Sequence, residues 1–433
     1  MTAAAADIGG TFDRLWSELV PIGVTAAGGY RRFAWNDADL AARSWFASAA
    51  GARGLDVQTD RNGNLWAWWL PSGWSGEPRE AFVSGSHLDS VPDGGAFDGP
   101  LGVISALCAI DVLRSRGVRP LRPVAVAVFA DEEGARFGVA CAGSRLLTGA
   151  LTPDWARGLI DIEGVSLDQA MRRAGIDTAH LGRDDASLNR IGVFVELHIE
   201  QGRALVDLDA PLAIGTSIWP HGRWRFSFEG EANHAGTTRL EDRRDPLLPF
   251  AASVLGARVL ATEHGGVATF GRVHVEPNGT NAVPSKVTAW LDIRGRDQEI
   301  VDAIVNGVSE LARDRAAAER VQLLVTAESV SGVVTFSADM KTRLHGVLDA
   351  VGGRGATAGL GPVPDLGTGA GHDAGVLSPW VPAAMLFVRN PTGVSHSPDE
   401  FAERADCLAG IEALAAVMTD WVLTPESVQA RSQ

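Results

Sequence analysis

A chain of 433 residues is long for one domain and divides most naturally into two. Its 45% hydrophobic and 21% charged residues suit a globular protein with a sizeable core. A formal net charge of −15 excludes a nucleic-acid surface, and the scattered thiols Cys108, Cys141 and Cys407 exclude a disulfide framework and fit a reducing cytosol.

The opening M-T-A-A-A-A-D-I-G-G has neither a positive start nor a continuous apolar run, so no signal peptide is expected. No stretch of roughly eighteen apolar residues follows, so no membrane partner is expected and the location is read as cytoplasmic. Apolar residues at helical spacing predict helices over 12–19 and 40–50. Residues 57–59 and 65–69 bracket the turn D-R-N-G, a hairpin signal. A short apolar strand, 81–83, then breaks into the polar loop S-G-S-H-L-D-S-V-P-D-G-G-A-F-D-G. That loop holds His87, Asp89 and Asp98, and a helix over 101–116 follows it. The nearly unbroken apolar run 123–130 reads as a strand buried on both faces and ends in Asp131, Glu132 and Glu133. Helices over 143–150 and 166–174 precede the strand 191–200, which ends E-L-H-I-E-Q-G.

Near Ile214 the rhythm changes. Residues 223–230 alternate like a half-exposed antiparallel strand. A helix over 246–262, strands over 267–276 and 285–294, a helix over 300–315 and a strand over 321–327 complete a β-α-β-β-α-β order. The fold class expected is α/β: a mixed, mostly parallel sheet with helices on both faces, interrupted by a ferredoxin-like α+β domain. The outer domain takes residues 1–213 and 330–433 and the inserted one 214–329. A helix over 340–351, a strand over 383–388 and a closing helix through Trp421 finish the outer domain.

The chemistry collects at predicted strand ends, where an α/β sheet places its ligand site. His87, Asp89, Asp98, Glu132, Glu133, His198 and His396 are all expected there. Any one of them alone reads as a surface or structural residue; several imidazoles and carboxylates at one sheet edge suit a divalent cation. Mixed His and carboxylate donors admit zinc, manganese, cobalt or nickel, and the absence of Cys argues against a purely structural zinc. Three His, Asp98 and one Glu suffice for two ions sharing Asp98, a hydrolytic device with metals about 3.5–4 Å apart.

The motifs G-S-H-L-D-S-V-P-D-G-G-A-F-D-G-P-L-G, D-E-E-G-A-R-F, E-L-H-I-E-Q-G, N-H-A-G-T-T, N-A-V-P-S-K-V, G-A-G-H-D-A and G-V-S-H-S-P resemble those of the hydantoinase/carbamoylase family of bimetallic amidohydrolases. That family is related to the cocatalytic zinc aminopeptidases and aminoacylases, and the resemblance runs along essentially the whole chain. It implies that His87 and His198 bind one metal, Glu133 and His396 the other, and Asp98 both. It also implies that Asp89 orients His87 and that Glu132 is the general base. His234 would steady the oxyanion in the active site of a partner subunit, making a homodimer through the inserted domain. Asn281 and Arg294 would grip a substrate carboxylate, and Gln201 the carbamoyl end. His372, with Asp373, would line the site or serve structure alone. The activity implied is hydrolysis of a ureido C–N bond in a small carboxylate, with release of ammonia and carbon dioxide. Allantoate is the first substrate, with N-carbamoyl-L-amino acids and then N-carbamoyl-β-alanine as alternatives. A peptidase or aminoacylase with the same metals, or a non-catalytic binding protein on the same fold, are the readings from other classes. His221 is assigned nothing beyond a lid contact; His180, His264, His274 and His345 fit no motif.

Overall fold

Strands buried on both faces organise the first half of the chain. Ala81–His87, Val124–Phe129, Ile191–Ile199 and Ala383–Val388 are buried along their whole lengths, as their near-continuous apolar sequences require. The structure is a computed structural model that describes residues 7–74, 80–351 and 362–423. The chain forms two compact units. The first holds the described residues up to Thr216, those of Phe336–Leu366 and those from Gly371 onward; the second holds Ser217–Thr335 with Gly367–Ala370.

In the first unit the four buried strands lie side by side and parallel, in the order Val124–Phe129, Ala81–His87, Ile191–Ile199, Ala383–Val388. The hairpin Asp56–Thr59/Leu65–Trp69 extends one edge and Leu212–Ile218 the other, both antiparallel. The sheet is thus mixed, with a parallel centre, as the sequence predicts. Helices Ile8–Leu19, Asp37–Gly51, Pro100–Ser115, Ala338–Val351 and Arg404–Leu423 contribute to one large core that includes Phe46, Leu107, Val126, Val195, Leu386 and Leu414. Because the central strands are parallel, their carboxyl ends share one edge, and that edge carries the candidate centre.

Two strands escape the sequence patterns: Leu212–Ile218, interrupted by Gly215 and Thr216-Ser217, and the four-residue Asp365–Thr368. The chain passes into the second unit along the first of these. That unit has the antiparallel order Gln322–Ser331, His221–Glu229, Lys286–Arg294, Val267–Glu276, with helices Leu247–His264 and Gln298–Ala318 packed together. Numbered along the chain this is strand order 4-1-3-2 in a β-α-β-β-α-β unit, the ferredoxin-like arrangement. Its core is built from the inward positions of the alternating strands, Phe226, Phe228, Leu291 and Ile293, against Ile304 and Val308. Among the described residues no helix is long and apolar enough to cross a membrane.

Candidate metal centre

His87 ends its strand and His198 lies one residue from the end of the neighbouring one. Both rings are buried, with centroids 5.9 Å apart. Each is held by a backbone carbonyl at Nδ1: His87 by Asp89 O at 3.1 Å, His198 by Ile199 O at 2.8 Å. A carbonyl only accepts, so in the neutral ring Nδ1 carries the proton and Nε2 keeps its lone pair. Both Nε2 atoms are buried without a hydrogen-bond partner, and they lie 3.4 and 3.3 Å from Asp98 Oδ1. Two buried lone pairs aimed at one carboxylate oxygen fit a cation and nothing that only accepts.

The other oxygen of Asp98 faces a second set. His396 Nε2 lies 3.4 Å from Asp98 Oδ2 and 3.6 Å from Glu133 Oε2. His87, Asp98 and His198 therefore form one group able to hold a metal ion, and Asp98, Glu133 and His396 another, with Asp98 common to both. A third group, Glu196 with His198 and His372, is otherwise engaged. Glu196 accepts from the Ser86 hydroxyl at 2.7 Å and from the Ala374 amide at 3.0 Å.

The local backbone explains how these side chains arrive. Gly99, at φ 83°, turns the chain from Asp98 into the helix Pro100–Ser115; a Cβ there would sit 2.6 Å from the His87 ring. The amides of Phe97 and Asp98 donate to Glu400 Oε1 at 3.0 and 2.9 Å, and Ser395 donates to Glu400 Oε2 at 3.0 Å. Glu400 thus ties the loop of Asp98 to that of His396. The carboxylate of Asp89 accepts the amides of Glu132 and Glu133 at 3.1 and 3.0 Å, so it fixes the loop of the two glutamates, while its own carbonyl orients His87. Glu132 belongs to neither group and places Oε2 3.8 Å from His87 Nε2.

The electrostatics are those of crowded buried acids. Burial pushes Glu132 well above the ordinary carboxyl range, and burial with the charge of Asp98 pushes Glu133 up to about 7. Burial alone would raise Asp98 too, but His198, His396 and His87 pull it well below its usual value. Bonding to Asp98 raises His396 to about 9, and His87 is raised well above its usual value by Glu132 and Asp98 against the opposing effect of burial. A divalent cation relieves this crowding and replaces the protons.

Gln201 joins the group: its Nε2 donates to Asp98 Oδ2 at 2.8 Å, while Oε1 is buried without a partner. His372 packs edge-on against His198 at 4.5 Å between centroids, and Asp373 accepts from Ser144 beneath it. In the second unit, Ala282 pairs with His234, and the Ala235 amide donates to Asn281 O at 3.0 Å, bringing these two residues together. The amides of Gly236 and Thr237 donate to His234 Nδ1 at 3.0 and 3.1 Å, which leaves Nε2 as the ring's donor. Arg294 Nε bonds Asp292 Oδ1 at 2.9 Å and Nη1 bonds Gly369 O at 2.6 Å. His221 accompanies that arginine: burial and then the Arg294 charge lower its pKa, against the Trp219 carbonyl bonded at its Nδ1. Sequence reasoning misses Glu400, Glu196 and Cys141. Glu400, four residues past His396 in S-H-S-P-D-E, is the one with a local signal.

Comparison with known proteins follows the same residues. The sequence profile of peptidase family M20/M25/M40 matches residues 83–420. The chain is 35% identical over 406 residues to an N-carbamoyl-L-amino acid amidohydrolase of Geobacillus stearothermophilus, covering 93% of this chain and 96% of that protein. It is 31% identical to the allantoate amidohydrolase of Escherichia coli K12, over 92% of this chain and 95% of that one. The crystal structure of an amidase of the hydantoinase/carbamoylase family from Burkholderia vietnamiensis superposes with a TM-score of 0.87, at 29% identity, over 98% of this chain and 100% of that one.

Proposed function

The chain belongs to peptidase family M20/M25/M40, and from that premise we propose that its centre hydrolyses the ureido C–N bond of a small carboxylate, allantoate first. It is a hydrolase acting on C–N bonds, as its relatives' names state of them. The observation that carries the reading is the shared Asp98: each of its oxygens faces its own set of donors, and Glu132 stands beside His87 without joining either set. Two divalent ions, zinc or manganese with cobalt or nickel as substitutes, suit this donor set. Bound there, they would acidify a water and polarise the scissile carbonyl.

The chain's own residues do the rest. Glu132 takes the proton of the attacking water and passes it to the leaving nitrogen, work suited to a carboxylate beside the donors that is not itself one of them. Asp89 keeps Glu132 and Glu133 in register through their amides. His234, with Nε2–H as donor, steadies the oxyanion in the site of a second copy of the chain. Arg294 and Asn281 take the substrate carboxylate, Gln201 the carbamoyl end, and His372 walls the site. Water adds to the ureido carbon and one C–N bond breaks to leave a carbamate. Loss of carbon dioxide from the carbamate breaks the second C–N bond, so the amine of the substrate, ammonia and carbon dioxide are the products.

A homodimer through the second unit is part of the proposal. Helix Leu247–His264 exposes Leu247, Leu248, Val254, Leu255 and Val259, and Val267–Glu276 is an edge strand of its sheet. An apolar helix face beside an open edge is suited to a second copy. The three buried free thiols support a reducing, cytoplasmic setting.

N-carbamoyl-L-amino acids are the second reading, favoured by the 35% identity to an amidohydrolase named for them. The test is ammonia release from the purified, manganese-loaded chain with allantoate, a set of N-carbamoyl-L-amino acids and N-carbamoyl-β-alanine side by side. Turnover fastest on allantoate is expected. Faster turnover of an N-carbamoyl-L-amino acid selects the second reading, and cleavage of dipeptides alone contradicts both.

A further inference from the structure

The loop that carries Glu132 is closed by a short ladder. The amides of Cys141, Ala142 and Gly143 donate to the carbonyls of Glu132, Asp131 and Ala130 at 2.6, 2.9 and 2.8 Å. Cys141 takes a left-handed backbone there, φ 54° and ψ 37°, which a residue with a side chain adopts where its surroundings fix it. That conformation brings Sγ to 3.2 Å from Glu132 Oε1, while Glu132 Oε2 lies 3.8 Å from His87 Nε2. Among the described residues no other hydrogen bond reaches the Glu132 carboxylate.

We propose that Cys141 is a positioning residue for Glu132: its thiol engages one carboxylate oxygen so that the other faces the metal-binding side chains. This rests on the reading of Glu132 as the base. A glutamate has three side-chain torsions, and in a pocket offering no other donor it would be free to turn away from His87. Burial, and then the charges of Glu132 and Asp373, hold the Cys141 thiol well above its ordinary pKa, which keeps it a protonated donor. A thiol is also a weak donor, which orients a carboxylate while taking little of its basicity. Cys141 is 5% exposed, so its task is internal and not that of a surface nucleophile.

The test combines turnover with vibrational spectroscopy. Cys141→Ala should lower kcat about 10-fold, the scale of losing one modest hydrogen bond to the base, with KM and metal content unchanged. Cys141→Ser, which keeps a donor, should recover most of the loss. Cys141→Ala should add nothing to the residual activity of Glu132→Gln, because both act through one group. The S–H stretch of Cys141, isolated by subtracting the Cys141→Ala spectrum, should move to higher wavenumber in Glu132→Gln, whose neutral amide is a weaker acceptor. Parental kcat in Cys141→Ala, equal losses in the Ala and Ser variants, or an S–H stretch indifferent to Glu132→Gln would each overturn the proposal. An active Glu132→Gln would overturn the base assignment instead, so the two failures are distinguishable.

Discussion

Glu132, buried, and Glu133, half-buried, are adjacent and anchored by the same carboxylate, yet the same substitution should affect them differently. Glu132→Gln should keep its metal and lose at least about 10²-fold in kcat, the lower range for a general base. Glu133→Gln should lose metal, since an amide oxygen is a poor substitute in a group of three donors. Elemental analysis beside steady-state rates separates the two, and reversed outcomes would exchange the roles. The raised pKa values give a second expectation. His396, held up to about 9, and Glu133, up to about 7, must shed protons before donating to a cation. Apparent metal affinity should therefore climb as pH rises from about 6 to about 9, with protons released on binding. Competition against a chelator at several pH values measures this; an affinity that falls over that range would contradict the assignment of these donors.

At the scale of the element, the helix Pro100–Ser115 carries a steric demand close to the candidate centre. Gly102 lies so close to the sheet that a Cβ would sit 2.3 Å from the Leu197 carbonyl and 3.0 Å from the Ser86 side chain. Gly102→Ala should push this helix from the strands, costing roughly 1–3 kcal/mol as overpacking does. It should also weaken metal binding by moving Asp98; a melting curve and a metal titration matching the parent would refute that coupling. The long strands and helices are legible in the sequence because each repeats one pattern long enough to be read, as 191–200 and 123–130 do. The donors His87, Glu133 and His198 are legible for a related reason, since each lies at or just past the end of a strand whose end the fold brings to one edge. Leu212–Ile218 is not, because Gly215 and Thr216-Ser217 break its pattern. The supports of the centre are hidden differently: Glu400 reaches an amide 302 positions away, and Cys141 acts only through a left-handed turn. Likewise Gly367–Ala370 falls with the second unit through Trp219 and Arg294, which no local composition announces.

For the whole molecule, the proposed dimer, with His234 serving the site of the second copy, makes a complementation expected. His234→Ala and Glu132→Gln chains should each be nearly inactive alone, and mixing them under conditions of proven subunit exchange should restore activity, because one site of each heterodimer is intact. No recovery would place His234 in its own chain's site or outside the reaction. The central claim, that Asp98 is shared between two ions which this enzyme needs to hydrolyse a ureido bond, is open to one direct measurement. Purified protein is stripped with a chelator, then titrated with manganese or zinc while bound metal and ammonia release from the preferred ureido carboxylate are followed together. Activity should vanish on stripping and return as metal content rises to two ions per chain. Full turnover in protein whose metal content stays far below one ion per chain would contradict it.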